Sequence, residues 1–343
     1  MKVQLFPILF MGVLTGCSSP QKEYVFTQSV PAKTEVLQEI LVSIPMDIKK
    51  QGDLLYVSDF NGDSLLSCYS ISERHLVGKM LPQGQGAGEF LSPVEFFPAD
   101  STFFVHNRWH FTAQDYSFDL PALSIRPQGE LMRLPMGADH LCPVSGSRWA
   151  VSGVFEEGRF MLLDGEGHPI ATCGSFPDYQ EGEEAVPNTA KAMFHQSQFG
   201  SHPSQKRLAC VTSHVLELWD CDGGTLTLKR RGLLAPYHYR FEAGPDGVFA
   251  ESDQADAVVG ARGLTVSGSF IYVLYNPNTQ QMHDERNETM NSEIWVFDWE
   301  GNPVRKLLPD VQVSCICVDE TDTCLYAIVA APDYCIGRIA IPD

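Results

Sequence analysis

One pattern recurs six times along this chain, so the fold must be able to repeat one structural unit. The pattern is a polar turn followed by a short apolar or aromatic strand. It reads "GDLLYVSD" at 52–59, "DSTFFVHN" at 100–107, "GSRWAVSG" at 146–153, "QKRLACVTS" at 205–213, "GSFIYVLYN" at 268–276 and "DTCLYAIVA" at 322–330. With Tyr56, Phe104, Ala150, Ala209, Tyr272 and Tyr326 as anchors, the gaps are 48, 46, 59, 63 and 54 residues. The mean period is near 54.

A second pattern follows three of the copies. It is "LLDGEGHPI" at 162–170, "LWDCDGGTL" at 218–226 and "VFDWEGNPV" at 296–304. Each is a strand end, an Asp, two residues, a Gly and an apolar restart. The carboxylate caps the turn and glycine supplies positive φ, which is hairpin chemistry. Each repeat then holds about four short strands. Long amphipathic helices are missing, and 186–200 is the best short helical candidate. Short strands with regular turns at this period predict an all-β, six-bladed propeller of four-stranded antiparallel blades. The last repeat supplies three strands, "VSCICVD", "CLYAIVA" and "CIGRIAIPD", and then stops. The segment "TEVLQEILVSI" at 34–44 can supply the fourth and close the ring, removing two sheet edges.

The glycine-rich stretch "LPQGQGAGEF" at 81–90 lies between the first two repeats. It lacks the Lys of a phosphate-binding P-loop. Its spacing is G-x-G-x-G rather than the dinucleotide G-x-G-x-x-G, and no helix follows to hold a phosphate. Gly84, Gly86, Gly88, Phe90 and Pro93 instead resemble the inter-blade signature of NHL-type propellers, G-x-G-x-G-x-F-x-x-P. In that signature the glycines let the chain cross between sheets, the Phe packs between blades and the Pro fixes entry to the next strand. The chain is similar to the TolB-like or NHL-like six-bladed propeller lipoproteins of the bacterial envelope. That resemblance covers most of 34–343. It implies the fold and an envelope location but no settled activity.

The first residues read as an export signal. "MKVQLFPILFMGVLTGC" places Lys2 before an apolar run from Val3 to Leu14, too short to span a bilayer. "LTGC", Leu14 to Cys17, resembles the lipobox, in which cleavage precedes a cysteine that takes a diacylglycerol. Residues 1–16 are then a lipoprotein signal peptide, Cys17 the lipidation site, 17–33 a tether and 34–343 one propeller domain. Ser18 follows Cys17 where an Asp would favour the inner membrane, so an outer-membrane location is expected. The chain carries 24 basic and 43 acidic side chains, a formal charge of −19. Such a surface repels nucleic acid and anionic lipid. Cys17 apart, nine of the ten cysteines remain, mostly inside apolar runs without a C-x-x-C pair, and read as core residues. One or two disulfides remain compatible with an exported chain.

Several stretches carry candidate chemistry. "HNRWH" at 106–110 has histidines at i and i+4, but along a strand these lie about 13 Å apart and cannot share one metal. His106, Arg108, Trp109 and His110 are therefore read as a blade-tip ligand surface. "YHYRFEAG" lies in a long connection at 232–262, where Tyr237, His238, Tyr239 and Arg240 suit stacking on a sugar or gripping a carboxylate. "DFNGDS" at 59–64 lacks EF-hand spacing and reads as a turn. The acidic run "DYQEGEE" at 178–184 reads as a solvated face. G-x-S-x-G is absent, and no catalytic residue, metal ligand or cofactor is assigned. Two readings stay open. One is a binding or scaffolding module for a glycan, peptide or envelope protein. The other is a metal-dependent lactonase-, lyase- or hydrolase-like enzyme acting at the central tunnel.

Overall fold

The computed structural model describes residues 24–99, 102–119, 124–144, 148–222, 224–244, 247–252, 256–279, 281–282, 292–330 and 332–342. Two strands, β1 (Ser29–Ala32) and β2 (Thr34–Glu39), precede the first blade. Blade one is β3 (Pro45–Gln51), β4 (Leu54–Asp59), β5 (Ser64–Ser70) and β6 (His75–Pro82). Blade two is β7 (Val94–Ala99), β8 (Thr102–Asn107), β9 (Thr112–Asp119) and β10 (Ser124–Arg133). Blade three is β11 (Ala138–Val144), β12 (Arg148–Gly153), β13 (Phe160–Leu163) and β14 (Pro169–Cys173). The helix α1 (Asn188–Phe194) then leads into blade four, β15 (Gln198–Ser201), β16 (Arg207–Val211), β17 (Val215–Asp222) and β18 (Thr225–Leu233). A separate hairpin, β19 (Tyr239–Gly244) and β20 (Gly247–Ser252), precedes blade five. Blade five is β21 (Val258–Val266), β22 (Phe270–Thr279), β23 (Glu293–Asp298) and β24 (Pro303–Pro309). Blade six is β25 (Gln312–Val318), β26 (Cys324–Ala330) and β27 (Tyr334–Ala340), completed by β2.

The repeated sequence pattern is the second strand of each blade, and its continuous apolar character has a physical cause. A propeller sheet is covered on both faces by its neighbours, so its middle strands do not alternate. Five of six residues in β4 are buried, whereas β10 on the rim is mostly exposed. The core is accordingly divided into slabs between adjacent sheets. Tyr56 of blade one meets Phe103 of blade two edge-on at 4.9 Å, and Phe160 of blade three meets Trp219 of blade four at 5.3 Å. Each of the six junctions holds its own cluster of buried apolar residues.

The turns follow their sequence signals. The Asp164 carboxylate accepts the amides of Glu166 and His168, and Asp298 accepts those of Glu300 and Asn302. Asp59 accepts the amides of Ser43, Ile44 and Asn61, a turn as its spacing indicates. The glycine loop connects β6 to β7. Its ends are pinned where Gly84 N donates to Phe90 O at 3.0 Å and Phe90 N donates to Pro82 O at 2.9 Å. Glu89 Oε2 accepts the Gly86 amide at 2.7 Å, and a Cβ on Gly84 would collide with that carboxylate. Phe90 is buried against Tyr116 of blade two, and Pro93 lies just before β7. The nine cysteines from Cys68 onward are free thiols, and burial pushes those of Cys142, Cys210 and Cys221 up to about 12.

Ring closure is made by the front of the chain. β2 lies antiparallel to β27, with Thr34 opposite Ile339 and Glu39 opposite Cys335. Glu35 receives Arg74 of blade one at 2.7 Å and Arg338 of blade six at 2.5 Å. β1 adds a fifth, parallel strand to blade five beside β24. Tyr24 and Phe26 pack their rings on Phe297 at 4.8 and 5.3 Å. Residues 24–32 of the expected tether thus lie along the ring, while the expected signal peptide and Cys17 fall outside the described residues. A chain starting at Leu41 is expected to aggregate and lose its cooperative urea transition. A chain starting at Tyr24 should retain the full-length midpoint, with light scattering and fluorescence as the readouts.

Candidate functional site

Two connections leave the ring on one face: 174–197, between blades three and four, and 234–257, between blades four and five. Neither is long enough for a domain, so each needs a core shared with the other. They share one built from Val215, Tyr237 and Tyr239, with Tyr179, Val186 and Phe194 packed against it. Phe194 stacks on Tyr239 at 4.1 Å and on His214 at 5.6 Å. Gln180 clamps the two segments, donating to Tyr239 O at 2.9 Å and accepting Tyr239 N at 2.8 Å.

Glu183 sits at the centre of this assembly and is fully buried. Its Oε1 faces His195 Nε2 at 2.9 Å and accepts Tyr239 OH at 3.0 Å. Its Oε2 accepts Tyr237 OH at 2.9 Å and the Tyr179 and Gln180 amides at 2.9 and 3.1 Å. Burial opposes the charge, but the hydrogen bonds from His195 and the two amides outweigh it and hold the carboxyl down at about 2. Burial and the proximity of Glu183 push both tyrosine hydroxyls up, keeping them protonated. Burial is also the main reason His195 lies below the usual imidazole value. The bond to Glu183 works against that depression and the Arg159 charge adds to it.

Against the roof that these two segments form lies a second buried charge cluster. Arg159, at the end of the loop joining β12 to β13, is 1% exposed. Its Nη1 lies 2.6 Å from the Glu217 carboxylate, which also takes Arg231 Nε at 2.5 Å. Its Nη2 donates to Ser197 Oγ at 3.3 Å, and its guanidinium lies 4.7 Å from the Phe160 ring centre. Arg231 Nη2 donates to Ser175 O at 2.6 Å and so ties the 174–197 segment to blade four. Asn188 Nδ2 donates to Glu156 O at 2.9 Å and anchors α1.

Between the 174–197 segment and the 108–111 turn of blade two, over blade three, opens a cleft of about 440 Å³. Its walls include Trp109, Phe111, Phe176 and Met193, and Arg159 and His195 also line it. Gly137 and Gly153 shape one side. A Cβ on Gly153 would strike the Gly137 carbonyl, which accepts Val154 N at 3.0 Å. Trp109 is 64% exposed. Among the described residues, neither His195 Nδ1 nor Arg159 Nε has a hydrogen-bond partner, although both atoms are buried.

The expected site residues separate. Trp109 and Arg108 line the cleft, Arg108 paired with Asp139, and His110 is exposed on the same 3-10 turn. His106 is fully buried in β8, with Nδ1 3.1 Å from Glu95 Oε2. Tyr237 and Tyr239 are interior residues whose hydroxyls hold Glu183, so their rings offer no open face for a sugar. Arg240 pairs with Glu251 at 2.7 Å, and exposed His238 accepts Ser252 Oγ through its carbonyl at 3.4 Å. The acidic run at 178–184 is not wholly a solvated face, since Glu183 within it is the most heavily hydrogen-bonded carboxylate of the roof. Glu183, His195, Arg159 and Glu217 carry no mark in the sequence.

Nearer the axis, Glu95 of β7 receives His140 Nδ1 at 2.8 Å, His106 Nδ1 at 3.1 Å and Leu141 N at 2.9 Å. Burial opposes its charge, but His140 and His106 hold its carboxyl well below the usual range. His140 also borders a second cavity of about 290 Å³ with Gln198 and Arg262. Among the described residues, no group of three or more His, Cys, Asp or Glu is placed to hold a metal ion. No helix among them is long and apolar enough to cross a membrane.

The architecture is thus a six-bladed propeller with a roofed cleft on one face. The chain belongs to the TolB-like family: the family model described as TolB-like 6-blade propeller-like matches residues 25–321. It is similar in fold to a protein of Bacteroides fragilis NCTC 9343 described as exported, at 11% identity and a TM-score of 0.57, covering 92% of this chain and 99% of that one. It is also similar to a member of the DUF4221 family from Bacteroides vulgatus ATCC 8482, at 9% identity and a TM-score of 0.54, covering 93% and 97%. No curated protein matches the sequence.

Glu217→Ala leaves two guanidiniums facing each other inside the protein and should cost about 3–5 kcal/mol in urea unfolding. Glu183 titrates lower when folded than unfolded, so its contribution is present above the unfolded value and is lost as pH falls through about 2. Glu183→Gln should therefore lose about 2–3 kcal/mol at pH 7 and flatten the acid limb of stability below about pH 5.

Proposed function

We propose that this protein is an exported, lipid-anchored envelope propeller that binds a small, largely apolar ligand in the roofed cleft. The observation that carries the reading is the cleft itself. An exposed indole stands beside apolar walls, with two buried polar side chains among them that have unpartnered atoms. Concave apolar sites with a few convergent polar groups are the usual form of small-molecule sites. The Bacteroides fragilis protein of the same fold is described as exported, which agrees with the leader and lipobox-like "LTGC" of this chain. The anchor is assigned to Cys17, with the outer membrane as its location. A tunnel-centred metal reaction would need open carboxylates near the axis. Of the inner-strand carboxylates, Glu95 has both oxygens engaged by two imidazoles and an amide, and Asp47 of β3 accepts the Ile48 amide at 2.8 Å and lies 3.5 Å from Lys49 Nζ, which favours binding.

The soluble body from Tyr24 should bind N-phenyl-1-naphthylamine at one saturable site with a rise in fluorescence. Trp109→Ala should weaken that binding about tenfold through loss of one aromatic wall. Val154→Trp, at a half-exposed position on the rim, should block it. Both variants should keep the parental urea midpoint. Binding indifferent to both substitutions would remove the cleft from the reading. In cells, Cys17 should label with palmitate, and Cys17→Ser should release the protein from the membrane fraction. A parent protein that takes no palmitate, or a Cys17→Ser protein that still takes it, would rule out the anchor at Cys17.

A further inference from the structure

We propose that the cleft selects a neutral ligand whose inner end donates a hydrogen bond, an alcohol or phenol hydroxyl in particular, and that His195 Nδ1 is the acceptor. The inference deepens the binding reading above and depends on it. It follows from proton placement around Glu183. An ionised carboxylate can only accept, and Glu183 already accepts two tyrosine hydroxyls and two amides. The imidazole nitrogen 2.9 Å from its Oε1 must therefore carry a proton. In a neutral imidazole the other nitrogen is then a bare lone pair. Burial holds His195 below the usual imidazole value, so the neutral form prevails at pH 7.

That lone pair belongs to Nδ1, which is buried without a partner among the described residues, on a side chain that lines the cleft. A buried acceptor left unpaired is costly, so the occupant that completes the site brings a donor. A carboxylate or a fully ionised phosphate ester brings none. Arg159 does not reverse the preference, because its charge and that of Arg231 are balanced by the two buried carboxylates, Glu217 and Glu183. Its Nε is a buried donor without a partner. A hydroxyl can both donate and accept, so its chemistry suits a site that holds an unpaired acceptor and an unpaired donor. The aromatic walls supply the apolar remainder of the recognition.

The test compares three compounds on one ring: 1-naphthol, 1-methoxynaphthalene and 1-naphthoate, each titrated calorimetrically into the soluble body from Tyr24. The expected result is 1-naphthol bound about tenfold tighter than its methyl ether, with naphthoate no tighter than the ether. In His195→Phe the preference for naphthol should fall to about onefold while the ether still binds. If the variant fails to fold, ¹⁵N-histidine spectra of the parent decide the same point. They should show Nδ1 of His195 unprotonated and shifted by naphthol. Equal binding of naphthol and its ether, stronger binding of naphthoate, or a protonated Nδ1 would overturn the inference while leaving the cleft as a ligand site. Failure of both neutral compounds to bind would overturn this inference and the binding reading together.

Discussion

Every blade of this ring buries both faces of its sheet, and it can do so only against the two blades beside it. The core is six separate slabs, each owned jointly by neighbours. A sheet taken alone would expose the apolar faces of its middle strands, as β4 and β26 would, with five of six and five of seven residues buried. Stability is therefore a property of the closed circle rather than of any repeat. The circle has one place where the chain does not continue from blade to blade by sequence. There β2 joins β27, Glu35 bridges blades one and six, and the Thr34 amide bonds Asp310 at the end of blade five. The rigidity that a binding site needs begins at that latch.

On such a frame, buried charge can serve position as well as stability. Glu217 lies between Arg159 and Arg231, and Glu183 lies beside His195 and two tyrosines. Two carboxylates and two guanidiniums balance across the two clusters. Replacing such groups by apolar ones of equal volume is often neutral or favourable, so net stability is a poor explanation for their presence. Direction is a better one. Hydrogen bonds fix where each group points, and here they orient an imidazole and a guanidinium that line the same cleft. Tyr237 and Tyr239 belong to this framework rather than to the contact surface, because their hydroxyls complete the shell around Glu183.

The ring was legible in the sequence because its signals are local. The six anchor residues all fall on second strands, and the Asp-x-x-Gly turns after β13 and β23 close hairpins through the expected carboxylates. The segment at 34–44 contains the closing strand, and 186–200 contains α1. The glycine loop is a crossing between sheets. The site was not legible, because its parts are distant in the chain. Glu183 meets Tyr237 across 54 residues, and Arg159 meets Glu217 across 58. Nothing adjacent marks Glu183 as buried, since its neighbours Glu181 and Glu184 are exposed. Of the stretch "HNRWH", periodicity alone could not tell that His106 points inward to Glu95 while Trp109 reaches solvent.

The irregularity of the repeat nevertheless carried the location of the site. The first two anchor gaps, 48 and 46 residues, hold the strands of a blade with their turns, the glycine loop and the short 3-10 turn at 108–110. The next two, 59 and 63, contain the 174–197 and 234–257 connections. A blade needs the same strands wherever it stands in the ring, so the surplus cannot belong to the ring. It must leave the sheet plane, and two surpluses on one side of adjacent junctions can bury apolar surface only against each other. That is the origin of the shared cluster around Phe194, Tyr237 and Tyr239, which holds the cleft-lining His195 from behind. In a closed repeat protein, departures from the period are therefore where structure beyond the ring is added, and here the first lines the cleft while the second buttresses it.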